Sequence, residues 1–300
     1  MKRVVSISLG SSKRNHAVEV EMAGEMCRVE RIGTDGDIKK MIAMITELDG
    51  NVEAFGLGGM DLYVYAGNQR YTFREAKVVV RAAKITPIVD GSGLKNTLER
   101  KVVRYLQNDT DILNGNPHVL MMSGADRFGM AEAMEEAGCR LTCGDLIFSI
   151  GLPLPLRSLK SLERVARVLA PLITQLPLSM VYPTGKKQEE NKPKAQHLFA
   201  EADIIAGDFH FIRRYMPMDM NGKIIITNTT TVDDVALLKS RGVKTLVTTT
   251  PELNGRSFGT NVMEGLLVAL SGKSRELKPD EYEGLLSQVN FVPRITQLNE

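Results

Sequence analysis

The stretch HVLMMSGADRFGMAEAMEEAGCRLTCGD, residues 118–145, has the pattern of a strand, a loop, a helix and a second strand. HVLMMSG is a short apolar run, which predicts a buried parallel strand. Helix-forming residues fill positions 130–137, and Gly138 follows where a helix commonly ends. The run CRLTCGD then predicts a strand that ends at Asp145. This order predicts a βαβ unit of a doubly wound, mainly parallel, Rossmann-like α/β domain.

The loop of this unit, Gly124-Ala-Asp-Arg-Phe-Gly129, is a candidate cofactor site. A helix N-terminus has unpaired N–H groups and positive partial charge, which together favour a phosphate. An acid about twenty residues later can bind a ribose hydroxyl, and Asp145 lies there. Gly124, Arg127, Gly129 and Asp145 are therefore the candidates for binding NAD or NADP, and the carboxylate of Asp145 favours the cofactor without a 2′-phosphate. Because Asp126 stands where the fingerprint has its second glycine, an ordinary packing turn is the alternative.

Composition narrows the class of protein. The chain has 300 residues and 43% hydrophobic content, which is enough for two domains. Its net charge of +2 gives no general electrostatic attraction to nucleic acid or to an anionic membrane. No apolar run approaches a membrane span, and no signal peptide precedes the first strand, so we expect a cytoplasmic protein. The three cysteines give neither a disulfide framework nor a metal site. The expected partners are a small-molecule ligand and a second copy in a homodimer.

The N-terminal part predicts a smaller α/β domain with a mixed sheet. Residues 3–9 form a strand, residues 17–23 alternate like its half-exposed partner, and residues 25–32 make a third, antiparallel strand. A helix with apolar residues at helical spacing begins at Asp37, and residues 52–57 return to the sheet. The glycine-rich exit Gly56-Leu-Gly-Gly-Met-Asp61 is either a plain turn or a place where a ligand approaches backbone.

This order of elements resembles the opening of the ribonuclease-H-like and actin-like ATPase folds. In those folds a strand ends in an Asp-x-Gly-Ser/Thr turn that holds a metal or a phosphate. The matching turn here is Ser8-Leu-Gly-Ser-Ser12, with serine in place of the aspartate. The departure removes the implied metal ligand and favours a scaffold or small-molecule role over ATP hydrolysis.

The C-terminal part repeats a strand-like pattern. Three apolar runs, residues 202–208, 223–228 and 244–250, are separated by helix-sized segments, which predicts a parallel sheet. The sequence also predicts helices at 158–175, from Thr231 to Arg241 and at 260–270, a strand at 178–182, and a charged segment at 185–194 that is either a solvated connection or a lid. We expect an N-terminal domain at 1–115, a Rossmann-like nucleotide-binding domain at 116–272 and a helical tail at 273–300.

The strand exits supply the remaining candidate residues, because open α/β sheets bind ligands beyond the carboxyl ends of their strands. His210, near the carboxylate of Asp208, can act as a general acid or base near neutral pH; the alternative is that His210 simply begins a helix. Thr227, Thr229 and Thr248 can hydrogen-bond a ribose or a phosphate, and threonines also serve as caps and turn residues.

Gly93-Leu-Lys-Asn-Thr97, followed by a helix and the unit at 118, resembles the order in shikimate and quinate dehydrogenases. In that family an Asn-Thr-Asp segment lies shortly before the NAD(P)-binding domain; here Leu98 stands in place of the aspartate. The resemblance implies redox chemistry with NAD or NADP, and Lys95 is offered as the substitute for the catalytic lysine. The resulting hypothesis is an NAD(P)-dependent oxidoreductase acting on a small polar, carboxylated substrate in an interdomain cleft. The alternative is a non-catalytic protein that binds a metabolite in the same cleft.

Overall fold

A computed structural model describes residues 1–66, 69–177, 190–250, 252–253, 256–257, 259–289 and 291–300. The expected strand at 178–182 and residues 185–189 of the charged segment lie outside these ranges. The strands are β1 (Lys2–Ser8), β2 (His16–Met22), β3 (Glu25–Gly33), β4 (Ala54–Gly58), β5 (Tyr63–Ala66), β6 (Gln69–Thr72), β7 (Ile88–Val89), β8 (His118–Met121), β9 (Arg140–Cys143), β10 (Ile204–Ala206), β11 (Ile224–Thr227), β12 (Thr245–Thr248), β13 (Glu252–Leu253), β14 (Arg256–Ser257) and β15 (Arg294–Gln297).

The helices connect these strands and cover the faces of two main sheets. They are α1 (Ile38–Leu48), α2 (Arg74–Val80), α3 (Ser92–Asp109), α4 (Phe128–Glu136), α5 (Asp145–Phe148), α6 (Leu159–Ile173), α7 (Gln196–Glu201), α8 (Phe209–Tyr215), α9 (Val232–Ser240), α10 (Thr260–Ser271) and α11 (Pro279–Gln288). The capping box expected at Thr231 is present at the start of α9, where Thr231 and Asp234 bond each other's backbone. Within the described ranges, no helix is long and apolar enough to cross a membrane.

The first sheet has the strand order β2-β3-β1-β4-β7 and is mixed, as the sequence predicts. One pairing differs from the prediction: β2 pairs with β3, whereas β1 is parallel to both β3 and β4. The turn between β2 and β3 explains the difference. Ala23 and Gly24 both have positive φ, the requirement of a tight hairpin turn, so β2 folds directly onto β3.

The second sheet has the order β15-β12-β11-β10-β8-β9. All its pairs are parallel except β12 with β15, so the doubly wound α/β fold class is confirmed. Residues 294–297, expected to belong to a helical tail, instead form the antiparallel edge strand β15 after α11. Asp145 begins α5 rather than ending a strand.

Two helices tie the sheets together. α3 carries the chain from β7 of the first sheet toward β8 of the second, and α10 returns from the second sheet to pack on β1 and β4. Gly265 of α10 permits a close approach to β1, because a Cβ there would lie 3.0 Å from a methyl carbon of Val4. A single apolar cluster therefore includes residues of both sheets, among them Val4, Val119 and Leu266. The boundary between the domains remains a prediction.

Candidate functional site

A cleft of about 210 Å³ lies between the two sheets. The carboxyl ends of β1 and β4 contribute one wall, and the loops after β8 and β10 contribute the other. The strand order reverses between β8 and β10, because the chain continues from β8 to β9 on one side and from β10 to β11 on the other. Such a reversal opens a crevice at the carboxyl ends of the two strands. The polar and charged residues of the lining include Ser6, Ser8, Arg14, His16, Arg31, Asp61, Asp90, Lys95, Asp126, Asp208, His210, Asn228, Thr229, Thr230, Thr231, Thr260 and Asn261.

Lys95 joins the two walls. It lies in the first turn of α3, and its Nζ is 2.9 Å from Oδ1 of Asp61 on one wall and 2.9 Å from Oδ1 of Asp126 on the other. Burial opposes the charge of Lys95, but Asp126 and Asp61 together raise its pKa well above the ordinary value. Burial, followed by the charge of Asp126, raises the pKa of Asp61 to about 6, although Lys95 opposes this rise. An ammonium donor thus lies beside a carboxylate that can exchange a proton near neutral pH.

Asp208 and His210 lie on the second wall, as the sequence predicts. Asp208 caps α8 by accepting a bond from the backbone N–H of His210 at 2.9 Å, and it also accepts from the Asn228 amide at 3.1 Å. Burial opposes ionisation of Asp208, but His210, Arg127 and these hydrogen bonds lower its pKa to about 2. Asp208 is therefore an anion at neutral pH.

The pKa of His210 lies below the usual value for a histidine. Burial lowers it and the charge of Arg14 adds to this effect, while the carboxylate of Asp208 opposes them. Nη1 of Arg14 lies 3.4 Å from Nε2 of His210. Because a guanidinium can only donate, we assign Nε2 as the acceptor and place the ring proton on Nδ1. The first wall thus reaches the second at this end of the cleft through Arg14.

Other parts of the protein contact the turn that was proposed to bind the cofactor. Asp145 accepts from the backbone N–H of Gly124 at 2.9 Å and from that of Ala125 at 2.8 Å. Burial raises the pKa of Asp145 to about 6, against the effect of these bonds. A Cβ at Gly129 would lie 2.9 Å from the carbonyl oxygen of Asn96, so the glycine allows α4 to pack on α3. Asp145 therefore occupies the N–H groups of Gly124 and Ala125, and Asn96 lies where a side chain at residue 129 would be.

Arg127 has no exposed side-chain surface. It forms an ion pair with Glu99 of α3, and its Nη2 lies 3.4 Å from Oδ2 of Asp208. The attraction of Glu99, Asp126 and Asp208 outweighs burial and raises its pKa further. Arg127 therefore supports Asp208 from behind the cleft wall.

The three threonines have different environments. Thr229 lines the cleft. Thr227 donates its hydroxyl to the carbonyl of Gly207 at 2.8 Å, which joins β11 to the end of β10. The buried hydroxyl of Thr248 has no hydrogen-bond partner within the part of the chain that the structure describes. Of these three predicted contacts, only Thr229 faces the cleft.

The structure therefore brings Lys95, Asp208, His210 and Thr229 together at the cleft. Gly124 and Gly129 lie in the adjoining turn, and Asp145, at the start of α5, bonds that turn. Sequence reasoning did not select Asp61, Arg14 and Asn261 as site residues. Asp61 closes the glycine-rich exit after β4, which was a usable signal. Asn261 donates to the hydroxyl of Ser6 at 2.8 Å across the cleft, and its position in a helix start carried no signal.

Ser8 occupies the position of the missing aspartate and also lines the cleft. Its hydroxyl accepts from the N–H of Gly10 and from Nη2 of Arg31, each at 3.1 Å. Among the described residues, no group of three or more His, Cys, Asp or Glu side chains is arranged to hold a metal.

Two family models together match nearly all of the chain. One, described as "Domain of unknown function (DUF8754)", matches residues 93–298, and a second, described as "Domain of unknown function (DUF8753)", matches residues 3–90. The chain belongs to the DUF8754 family. The description of the DUF8754 family names no activity, so the expected relation to shikimate and quinate dehydrogenases remains a prediction. No curated protein matches this DUF8754 chain.

Solved structures give distant likenesses. A galactofuranose binding protein is 12% identical, with 97% of this chain and 99% of that chain covered and a TM-score of 0.36. A NAD-dependent malic enzyme from Thermotoga maritima is 10% identical, with 96% and 84% covered and a TM-score of 0.35. L-tryptophan dehydrogenase from Nostoc punctiforme is 12% identical, with 96% and 80% covered and a TM-score of 0.36. These scores support no conclusion about the ligand or reaction of the DUF8754 chain.

Proposed function

We propose that the protein binds a small polar, carboxylated molecule in the interdomain cleft and transfers a proton at one of its hydroxyl or carbonyl groups. The observation that carries this proposal is the contact of Lys95 with Asp61 and Asp126 where the two walls meet. A perturbed carboxyl group beside a fixed cation, in a cleft at a topological switch point, is the arrangement in which acid–base chemistry is commonly found.

Lys95 and Asp61 supply complementary roles. The high pKa of Lys95 keeps its ammonium protonated, so it can donate a hydrogen bond to a substrate oxygen and stabilise negative charge there. Asp61, with a pKa of about 6, is mostly ionised at neutral pH and can accept the hydroxyl proton. In the reverse direction, protonated Asp61 returns that proton to the alkoxide oxygen, whose negative charge Lys95 stabilises.

The part of the cleft at Arg14 and Arg31 suits a carboxylate. Both residues line the cleft, and Nη1 of Arg14 lies 3.4 Å from Nε2 of His210. Guanidinium groups match the planar geometry of a carboxylate and can bind it with two hydrogen bonds. We therefore propose that the carboxylate lies toward Arg14 and Arg31 while the reacting oxygen faces Lys95 and Asp61.

The oxidoreductase form of this proposal requires NAD or NADP, which would accept or supply hydride. The residues of the turn at 124–129 do not fit its pyrophosphate as they stand, because Asp145 takes the first two N–H groups and Asn96 lies against Gly129. No step is therefore derived through a nicotinamide. The proposed chemistry of Lys95 and Asp61 does not depend on where hydride goes.

A binding protein without turnover is the second candidate. The observation that favours it is the pairing of Lys95 with two carboxylates, which already satisfies the ammonium without a substrate. A static ion network of this kind can serve a ligand-sensing cleft as well as a catalytic one.

A screen of small hydroxy acids, keto acids and their uncharged amide analogues by thermal shift would test the proposal. We expect the acids to raise the melting temperature more than the amides, and Arg14→Gln to abolish that preference while Arg28→Gln, an exposed change on β3, retains it. Each stabilising compound is then assayed for turnover with and without NAD, NADH, NADP and NADPH. Stabilisation without turnover would favour the binding protein, and stabilisation by none of the acids would contradict the proposed ligand class.

A further inference from the structure

A second cavity, of about 140 Å³, lies beside the cleft between α3 and the start of α4. Lys95 and Asp126 line both cavities, so their ion pair forms the partition between them. The lining of the second cavity consists of Tyr65, Ser92, Lys95, Asn96, Glu99, Arg100, Asp126, Arg127, Phe128 and Gly129. Neither His210 nor the arginines proposed to bind a carboxylate belong to it.

Glu99 and Arg127, which both line this cavity, each have one buried polar atom with no hydrogen-bond partner among the described residues: Oε2 of Glu99 and Nε of Arg127. Nε of Arg127 lies 3.9 Å from Oδ2 of Asp126, an ion pair but not a hydrogen bond. Glu99 and Arg127 are each only 1% exposed. Their other polar atoms are occupied, because Oε1 of Glu99 pairs with Nη1 of Arg127, and Nη2 of Arg127 reaches Asp208. A buried acceptor or donor that stays unpaired is unfavourable, so a ligand that satisfies both atoms is bound more tightly.

The two free atoms specify complementary chemistry. Burial raises the pKa of Glu99 to about 7, against the charge of Arg127, so Oε2 accepts when Glu99 is ionised and can donate when it is protonated. A group that bonds Arg127 has to accept. An added anion would satisfy Arg127 but would meet the carboxylates of Glu99 and Asp126 in the same small space. A neutral group that donates and accepts at once, as a hydroxyl or a primary carboxamide does, satisfies both without adding a buried charge.

We propose that this second cavity is a binding subsite for a hydroxyl or primary carboxamide group. The subsite is distinct from the proposed acid–base pair, since its specificity comes from Glu99 and Arg127 rather than from Lys95 and Asp61. It also reverses the expectation for the Gly124–Gly129 turn: the space next to Gly129 selects a neutral group and rejects a phosphate.

Acetamide and acetate are the matched probes, because they have nearly the same shape and differ in charge and in the donor group. We expect saturation-transfer NMR to detect acetamide with a dissociation constant at least roughly tenfold lower than that of acetate or inorganic phosphate. Glycerol is the probe for a hydroxyl group. Binding of acetamide alone identifies a carboxamide subsite, and binding of glycerol alone identifies a hydroxyl subsite. Binding of both supports the shared chemistry.

Variants on α3 test whether the NMR signal comes from binding in the second cavity. Asn96→Met lengthens a side chain that lines the cavity, and Asn96→Gln does so while keeping the amide; both should weaken binding of the preferred neutral probe, acetamide or glycerol, at least roughly tenfold. Arg104→Met, an exposed change on the same helix, should leave it unchanged. The proposal is overturned if acetate or phosphate binds as well as the better neutral probe, if neither neutral probe binds, or if the signal persists in every folded Asn96 variant, which would show an adventitious additive only.

Discussion

Two glycine-containing turns follow parallel strands in this protein, and they differ in what occupies the space beside them. After β4, Gly58 and Gly59 line the cleft, and the turn leads directly to Asp61. After β8, the N–H groups of Gly124 and Ala125 bond Asp145, and Gly129 lies against the backbone of α3. The comparison teaches that a glycine at a strand exit indicates close approach of another group, and that this group can be the protein itself: a Cβ at Gly58 would lie 2.8 Å from Oγ of Ser8, although the first turn also lines the cleft.

The largest expected effect is a loss of turnover when the cation beside the first turn is removed. Lys95→Met removes the cation that faces Asp61 at the end of the first turn and should lower turnover of a substrate found in the screen by about a thousandfold. Arg104→Met is the matched control, because it removes a cation from the exposed side of the same helix. Steady-state kinetics and melting temperatures would be measured for both. Unchanged turnover in a folded Lys95→Met protein would remove Lys95 from the reaction.

Asp145→Ala tests whether the second turn is structural. The substitution leaves two backbone N–H groups unpaired and should lower the free energy of unfolding by about 3 kcal/mol, while the affinity of the cleft for its ligand stays the same. Chemical denaturation and calorimetry would measure the two quantities, with the exposed Asp233→Ala as control. Loss of nucleotide binding at unchanged stability would instead restore the cofactor role of Asp145.

Gly129→Ala sharpens the same point with a single methyl group. The new Cβ would lie too close to the carbonyl of Asn96, so we expect a loss of about 2 kcal/mol in the free energy of unfolding. Gly284→Ala is the matched control on α11, where a Cβ meets open space, and it should raise stability by up to about 1 kcal/mol through helix propensity. Equal stability of the two variants, measured by denaturation, would contradict the packing role of Gly129.

The smallest expected effect is on the pH dependence at the first turn. Asp61 accepts a proton only when ionised, and its pKa of about 6 places the loss of that form below pH 6. We expect kcat/KM to fall about tenfold per pH unit in that range and to stay level from pH 7 to 8. In Asp61→Asn, any residual activity should lose this acid limb. A profile whose midpoint stays near pH 6 in the variant would assign the titration to another group.

The sequence was most informative where structure is local. The apolar runs at β10, β11 and β12, the capping box of α9 and the mixed character of the first sheet follow from spacing and side-chain type. Strand partners were harder to predict from the sequence, because the parallel pairing of β1 with β3 and the edge position of β15 depend on contacts between distant segments. The local pattern of a short strand does not specify its neighbour.

The site shows the same limit more strongly. His210 was identified from side-chain chemistry at a strand exit, and Lys95 from the resemblance to shikimate and quinate dehydrogenases. Their partners were not, since Arg14 and His210 are separated by 196 positions and Lys95 and Asp61 by 34. The occupied N–H groups of the second turn were equally hidden, because the same Asp145 that was interpreted as a ribose ligand bonds the backbone 21 and 20 residues before it.

The return of α10 to the first sheet bears on how the chain matures during synthesis. Val4 and Ala54 pack in one apolar cluster with α10 residues Val262 and Leu266, more than 200 positions later. A ribosome that has released only the first 90 residues has therefore exposed a sheet with one uncovered apolar face. At about 5–20 residues per second, some ten seconds or more pass before residues 260–271 emerge to cover it. During that interval the nascent protein exposes an apolar surface that chaperones can recognise. In the complete protein α10 covers this surface.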